Sequence, residues 1–323
     1  MSKQLLQMFE NQDGQFVSGE EISKELQISR TAVWKQIQKL QKAGYQFEAA
    51  TRKGYRLIQQ PDKLSLQQLL PKLTSRRLGC SIKLHDVVES TQNIAKALAE
   101  DGAPEGTLVV AEQQLQGRGR LGRQWVSPPG KGIYMSLVLR PSTELAYSSQ
   151  LTLLIAVALC RSLRTITGVE IGIKWPNDLL ADNKKISGIL LESAAEEERL
   201  RYLIAGIGIS VNMEPEDYPP EVLEKAVSLK MLTGAALDRA EIIAFFLEEL
   251  EVLYDLYNVN GFAPIRTLWE ALSVSLHKET EVRTPQGILR GTPIGLNEHG
   301  ALLLRDEQGS VRPVFSAELG SRN

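Results

Sequence analysis

A chain of 323 residues with 43% apolar and 24% charged side chains has a globular composition, which excludes a disordered, collagen-like or disulfide-scaffold polypeptide. At the usual size of about 100–200 residues per domain, two or three domains are expected. Charge is close to balance, 37 basic against 39 acidic residues, so a uniformly basic coat for nucleic acid is excluded while a local basic element is not. Cys80 and Cys160 are far apart and form no CxxC pair, which argues against a disulfide framework or a thiolate zinc site and points to the reducing cytosol, a cytoplasmic protein. The opening MSKQLLQMFENQDG lacks the features of a secretion signal, and the apolar stretch Leu151–Cys160 is about half of the roughly 20 residues a membrane span needs. It reads as a buried helix. His85, His277 and His299 are too scattered to suggest a histidine metal cluster, and no protein metal site is expected.

In chain order, Ser18 with Glu21 three residues on caps a first helix that carries Ile22 and Leu26 at helical spacing. After the short turn Gln27-Ile28-Ser29, Ser29 caps a second helix with the apolar stripe Val33, Ile37 and Leu40, ended by Gly44. Alternation in Tyr45-Gln46-Phe47 and Tyr55-Arg56-Leu57, around Arg52-Lys53-Gly54, predicts a two-stranded hairpin. This is the layout of a winged helix-turn-helix over residues 1–60. Residues 28–58 hold seven basic side chains (Arg30, Lys35, Lys39, Lys42, Arg52, Lys53, Arg56) against one acid, Glu48. A solvated helix surface would account for them, but they coincide with the elements that would enter a DNA groove. Arg30, Thr31, Lys35, Lys39, Arg52 and Lys53 are therefore the candidate DNA-binding residues.

Gln59-Gln60-Pro61-Asp62 reads as a linker. Beyond it, β-branched runs at 107–111, 133–139, 169–175, 186–191 and 203–211 alternate with helical stretches at 92–100, 148–166 and 238–257. They predict a central mixed-sheet α/β domain over residues 64–270 with five or more strands. A hairpin through Leu180–Lys184 makes that sheet not purely parallel. From residue 273 to 323, turn signals at Pro285-Gln286-Gly287, Asn297-Glu298-His299-Gly300 and Gln308-Gly309 predict a small β-barrel. The whole is an α+β multidomain chain.

The segment QQLQGRGRLGRQW, Gln113 to Trp125, interleaves glycines with arginines directly after a strand-like run. Glycine lets backbone approach an anion and arginine supplies fixed donors. Gly117, Gly119 and Gly122 match G-x-G-x-x-G formally, but a dinucleotide fingerprint must open a helix, and here Ser127-Pro128-Pro129-Gly130 and another strand follow. What is left is a flexible cationic loop able to close over a phosphate or carboxylate. In KWPNDLL, Trp175 before Pro176 is expected to be extended, with Asn177 and Asp178 presented at a turn. Lys185 opens an apolar strand in KKISGILLE, where an amine at the edge of a core can meet an anion. Ser90-Thr91-Gln92 reads on its own as a helix N-cap.

Taken together, ESTQNIA, GRGRLGRQW, KWPNDLL and KKISGILLE, in that order behind a winged helix, closely resemble the biotin protein ligases, specifically the bifunctional bacterial ligases that also repress the biotin operon. The resemblance covers essentially the whole length. It implies a class II synthetase-like ligase domain and an SH3-like C-terminal barrel. It implies that Ser90, Thr91, Gln92 and Gln114 line a biotin pocket, with either Gln92 or Asn93 reading the ureido ring. Arg118, Gly119 and Arg120 would belong to a loop that orders over biotin and the adenylate, and Lys185 would contact the biotin carboxylate and the phosphate. Trp125 would pack on adenine, with Asn177 and Asp178 near the nucleotide. Arg118, Arg120 and Lys185 are the expected catalytic residues. Biotin, ATP and Mg²⁺ carried by the ATP phosphates are the implied ligands. A biotin carboxyl carrier domain and operator DNA are the implied partners, the latter bound by a homodimer. Two other readings stay open from the residues: a catalytically inactive, ligand-sensing transcription factor, and a lipoate-type ligase, although the latter lacks the arginine-glycine loop and the winged helix.

Overall fold

The computed structural model describes residues 2–12, 14–42, 45–50, 53–59, 63–284, 287–315 and 317–320. Gly44, Arg52, Gln60, Pro61, Asp62 and the Pro285-Gln286 turn, all singled out above, lie outside the described residues. The chain divides into two compact units, Met1–Lys63 and Leu64–Asn323.

In the first unit α2 (Gly19–Leu26) and α3 (Arg30–Lys42) are the two helices of the predicted pair, and β1 (Gln46–Ala50) and β2 (Gly54–Gln59) form the antiparallel hairpin. Both predicted caps form. Ser18 Oγ accepts from the Glu21 N–H at 3.0 Å, and Ser29 Oγ accepts from the Ala32 N–H at 3.2 Å. The sequence reading started the helices one too late, because α1 (Ser2–Asn11) precedes them and supplies Leu5 and Phe9 to a core with Ile22, Val33, Ile37 and Leu40. Gln59, read as linker, is the last residue of β2. At the turn end of β2 Val17 bridges Tyr55, and a Cβ at Gly54 would collide with the Val17 carbonyl, so this close approach admits only glycine.

The second unit opens with the short helix α4 (Leu66–Leu69) and builds a seven-stranded mixed sheet from β3 (Ser81–Val88), β4 (Thr107–Gln114), β5 (Gly132–Leu139), β6 (Gly172–Lys174), β7 (Asp178–Ala181), β8 (Lys184–Glu196) and β9 (Arg199–Ser210). Its order is β3-β4-β5-β9-β8-β7-β6, with only the β3/β4 pair parallel. The helix α5 (Thr91–Glu100) covers one face, where Ala95 and Ala99 pack on Val109, Val138 and Ile204. The opposite face meets α6 (Ser148–Thr167), α9 (Arg239–Asn260) and α10 (Ala263–Leu272). Between β9 and α9 lie the short helices α7 (Pro220–Leu223) and α8 (Leu229–Thr233). Among the described residues one segment, Leu145–Thr167, is long and apolar enough to cross a membrane. Its Leu153–Cys160 stretch is no more than 1% exposed in the core, as the sequence predicts.

The strand β6 is shorter than the 169–175 run suggests, and residues 175–177 form a turn in which Trp175 has a cis bond to Pro176. Asp182 and Asn183, both at positive φ, make the predicted hairpin between β7 and β8. The strands β10 (Thr280–Thr284), β11 (Gly287–Leu296), β12 (Leu302–Arg305), β13 (Val311–Val314) and β14 (Glu318–Gly320) form an antiparallel five-stranded sheet, and Val282, Leu302 and Leu304 share the buried cluster of α6 and α9.

One buried ion pair ties the unit together. Arg239, 0% exposed at the start of α9, donates to Glu112 Oε2 and to the Gly132 carbonyl, both at 3.0 Å, while Glu112 Oε1 accepts the Leu64 N–H at 2.5 Å. A single carboxylate on β4 thus holds the first residue of the unit, the start of β5 and the head of α9.

Candidate functional site

Side chains two apart on a strand share a face, so Val138 and Ser136 on β5 lie on the α5 side with Ile204, Gly206 and Gly208 on β9. Where α5 covers the sheet that face carries Ile204. Past the N-terminus of α5, β9 brings Gly206 and Gly208 to that face, with Gly188 paired to Gly208 on β8. The missing side chains leave a cavity of about 520 Å³. A Cβ on Gly206 would stand 2.5 Å from Gln92 Oε1, and one on Gly208 would stand 2.5 Å from the Trp125 ring, so both positions require glycine for the site's present geometry.

The wall of the cavity comes from the α5 N-terminus and β4. Ser90 is the N-cap predicted from sequence, accepting from the Gln92 N–H at 3.3 Å. Thr91 Oγ1 lies 2.8 Å from Ser136 Oγ, and the Thr91 N–H donates to Gln114 Oε1 at 2.9 Å. Gln92 is 3% exposed and both ends of its amide bond to protein: Nε2 donates to the Leu190 and Ile204 carbonyls at 3.3 and 3.1 Å, and Oε1 accepts from Ser136 at 2.9 Å. Asn93 is exposed and does not line the cavity; its Oδ1 accepts from Arg118 Nη2 at 2.6 Å.

The glycine-arginine segment is not a structureless loop. Trp125 N–H donates to the Gly117 carbonyl at 2.8 Å, Arg118 bridges Gln124, Gly119 N–H donates to the Arg123 carbonyl at 2.7 Å, and Arg123 N–H reaches the Arg120 carbonyl at 3.3 Å. At the tip Leu121 and Gly122 both have positive φ, 57° and 73°, the pattern of a two-residue hairpin turn. Arg118 also faces Glu192 at 3.4 Å, and Arg120 Nη1 donates to Asn177 Oδ1 at 2.9 Å, whose Nδ2 is fixed on the Ile189 carbonyl at 2.8 Å.

Lys185 is held by its backbone, with its N–H donating to the Lys225 carbonyl at 2.8 Å and its carbonyl accepting from Val227 at 3.0 Å. Its Nζ lies 2.6 Å from Asp178 Oδ1 and 5.4 Å from the centre of the Trp125 ring. Trp125 Nε1 is buried without a hydrogen-bond partner. An indole donor left unpaired beside a cation and above a glycine floor suits a planar, anionic ligand.

Ser90, Thr91, Gln92, Gln114, Arg118, Gly119, Arg120, Trp125, Asn177, Asp178 and Lys185, the ligand-site residues predicted from sequence, all line this one cavity. Sequence reasoning missed Ser136 and the glycine floor, for which the alternation Gly206-Ile207-Gly208 inside a strand is a usable signal. It also missed Ala317, just before β14, and Leu319 within it, which line the same cavity. Among the described residues no group of three or more His, Cys, Asp or Glu side chains is disposed to hold a metal ion.

In the first unit Thr31, Lys35 and Lys39 are exposed on α3. Arg30 is exposed too, but pairs with Glu20 of α2 at 2.8 Å. Lys53 stands 5.9 Å from the centre of the Phe16 ring, which Arg56 also covers at 4.9 Å.

Residues 84–210 match the biotin/lipoate A/B protein ligase family, and residues 2–56 match a helix-turn-helix (HTH) domain. The chain is 44% identical to the bifunctional ligase/repressor BirA of Bacillus subtilis over 99% of this chain and 98% of that one. It is 30% identical to the bifunctional ligase/repressor BirA of Escherichia coli over 96% of this chain and 94% of that one. Among solved structures, the biotin protein ligase of Aquifex aeolicus in complex with biotin and ATP superposes with a TM-score of 0.65 at 32% identity, covering 75% of this chain and 98% of that one. With relatives this similar over nearly its full length, and a helix-turn-helix unit ahead of the ligase sheet, the chain belongs to the biotin protein ligase family, in its bifunctional ligase/repressor branch.

Proposed function

We propose that this protein is an ATP-dependent biotin protein ligase that also represses transcription in response to biotin. In the first step the biotin carboxylate attacks the α-phosphorus of ATP, forming biotinyl-5'-adenylate and releasing pyrophosphate. In the second, the side-chain amine of a lysine on a biotin carboxyl carrier domain attacks the activated carbonyl, AMP leaves, the amide bond forms and the amine loses its proton.

Both steps gather negative charge, and such chemistry rests mainly on positioning and electrostatic stabilisation. Arg118, Arg120 and Lys185 are the residues assigned to it, with Lys185 exchanging Asp178 for the substrate carboxylate and phosphate. Ser90, Thr91, Gln92, Gln114 and Gly119 are assigned to the biotin end of the cavity, and Trp125, Asn177 and Asp178 to the nucleotide. Because the amide of Gln92 is already bonded within the protein, its role is to shape the biotin wall with Ser136. Magnesium would be carried by the ATP phosphates, where it neutralises their charge. The observation that carries the assignment is the convergence of Arg118, Arg120 and Lys185 on one cavity floored by glycine.

The repressor arm rests on the helix-turn-helix unit, with Arg30, Thr31, Lys35, Lys39, Arg52 and Lys53 on operator DNA. Biotinyl-5'-adenylate acts as corepressor by promoting a homodimer through the ligase sheet, and the second unit divides into a ligase domain, 64–270, and a small C-terminal β-domain, 273–323. The compartment is the cytoplasm. Incubating the protein with biotin, ATP and Mg²⁺ should release pyrophosphate and label one lysine of a carrier domain. Release of neither product, with adenylate still bound on addition, would instead leave a sensor without catalysis.

A further inference from the structure

The helix α3 buries Val33, Ile37 and Leu40, yet Trp34, between Val33 and Lys35, turns the other way and is 51% exposed. An indole is among the largest apolar surfaces a side chain offers, and half of this one contributes nothing to the core of its unit. Its neighbours on the outer face are Thr31, Lys35, Gln38 and Lys39, all exposed, and the whole of α3, RTAVWKQIQKLQK, contains no acidic residue. A second copy of the chain is a poor occupant for such a face, because two like-charged surfaces would meet. A polyanion is a good one.

The sugar-phosphate backbone satisfies the lysines but offers an indole little. The major groove offers an apolar group at one kind of base pair only, the 5-methyl of thymine. Trp34 is the fifth residue of α3, in the N-terminal half from which the second helix of a helix-turn-helix addresses base edges. We propose that Trp34 is a sequence-reading residue whose exposed indole packs against a thymine methyl in the major groove, while Lys35 and Lys39 hold the flanking phosphates. This inference rests on the repressor reading above and names which base feature that reading uses.

The test uses the full chain with biotin, ATP and Mg²⁺, and a duplex enriched by it from a random-sequence pool. Each thymine of that duplex is replaced singly by deoxyuracil, which keeps the base pair and removes only the methyl. At one thymine per half-site the unaltered protein should lose about fourfold in affinity, the effect of withdrawing one buried methyl group. Trp34→Ala should bind the thymine and uracil duplexes equally at that position, keep any loss seen at other positions, and keep its salt dependence, since phosphate contacts remain. Trp34→Phe, which retains an aromatic face, should preserve the thymine preference and guards against a folding defect in the alanine variant. Wild-type affinity in Trp34→Ala, or a uracil penalty that survives it at every position, overturns the assignment of Trp34 while leaving the repressor intact. Failure of the pool to enrich any sequence overturns both.

Discussion

Lys185 and Arg118 present cations to the same cavity from unlike supports. Lys185 sits at the second residue of β8, paired on one side with Leu180 of β7 and on the other with the 225–227 segment. Arg118 stands on a nine-residue hairpin, Gly117–Trp125, that meets the rest of the protein through side chains such as Asn93, Glu192 and Asn177. The sheet holds its charge through backbone pairing on both sides, and the hairpin holds its charge through its own turn and a few side-chain contacts. Catalytic electrostatics of this kind need some donors fixed beforehand and access for substrate as well, and dividing the cations between two supports meets both needs.

The contrast is broken most severely at Arg239. Arg239→Met leaves Glu112 buried and unpaired behind the sheet and should cost about 3–5 kcal/mol of stability in urea unfolding. Adding Glu112→Gln should recover part of it, because a neutral amide still accepts the Leu64 N–H. A loss under 1 kcal/mol in Arg239→Met would mean the sheet does not depend on this pair.

Next in size, Lys185→Ala should slow pyrophosphate release by about 10 to 150-fold, the range of a charge-assisted hydrogen bond worth about 1.5–3 kcal/mol. Arg118→Ala should also slow it, yet lower the unfolding free energy in urea by less than about 1 kcal/mol, since its partners are exposed ones. Equal destabilisation by the two variants would erase the distinction between sheet and hairpin.

Gly206→Ala sharpens the picture at the floor. The new methyl would stand 2.5 Å from Gln92 Oε1, and pushing that amide off Ser136 should cost about 1–3 kcal/mol and raise KM for biotin with little change in kcat. An unchanged KM would remove the Gln92–Ser136 wall from biotin binding. The smallest effect is kinetic: trypsin cleavage after Arg118, Arg120 or Arg123 should slow when biotin and ATP are both present, and protection by neither would show that the hairpin does not close on them.

Much of this was legible in the order of residues. Local rules found α2, α3 and the wing, because Ser18, Ser29 and the Val33-Ile37-Leu40 stripe act within a few residues. They found the cationic segment for the same reason, although not that its own backbone hydrogen bonds fold it into a hairpin. The helix α1 escaped because its apolar positions become a core only against Ile22 and Ile37. The cavity floor escaped because Gly206 and Gln92 are neighbours only once β9 and α5 are folded together. Arg239 and Glu112, 127 residues apart, carry no mark of their pairing in sequence. The C-terminal strands read correctly as β structure, but Ala317 and Leu319 gave no sign that they would edge the site.

The paired positive φ angles at Leu121 and Gly122 have an energetic corollary. Fixing independent residues costs about 1–2 kcal/mol of entropy for each, a toll that a long disordered lid would levy on every ligand it covers. A segment already folded back on itself can swing as one stiff door about its two ends, leaving that toll largely behind. A door of that kind would let vitamin and nucleotide keep most of their intrinsic affinity and would reopen for product without any refolding.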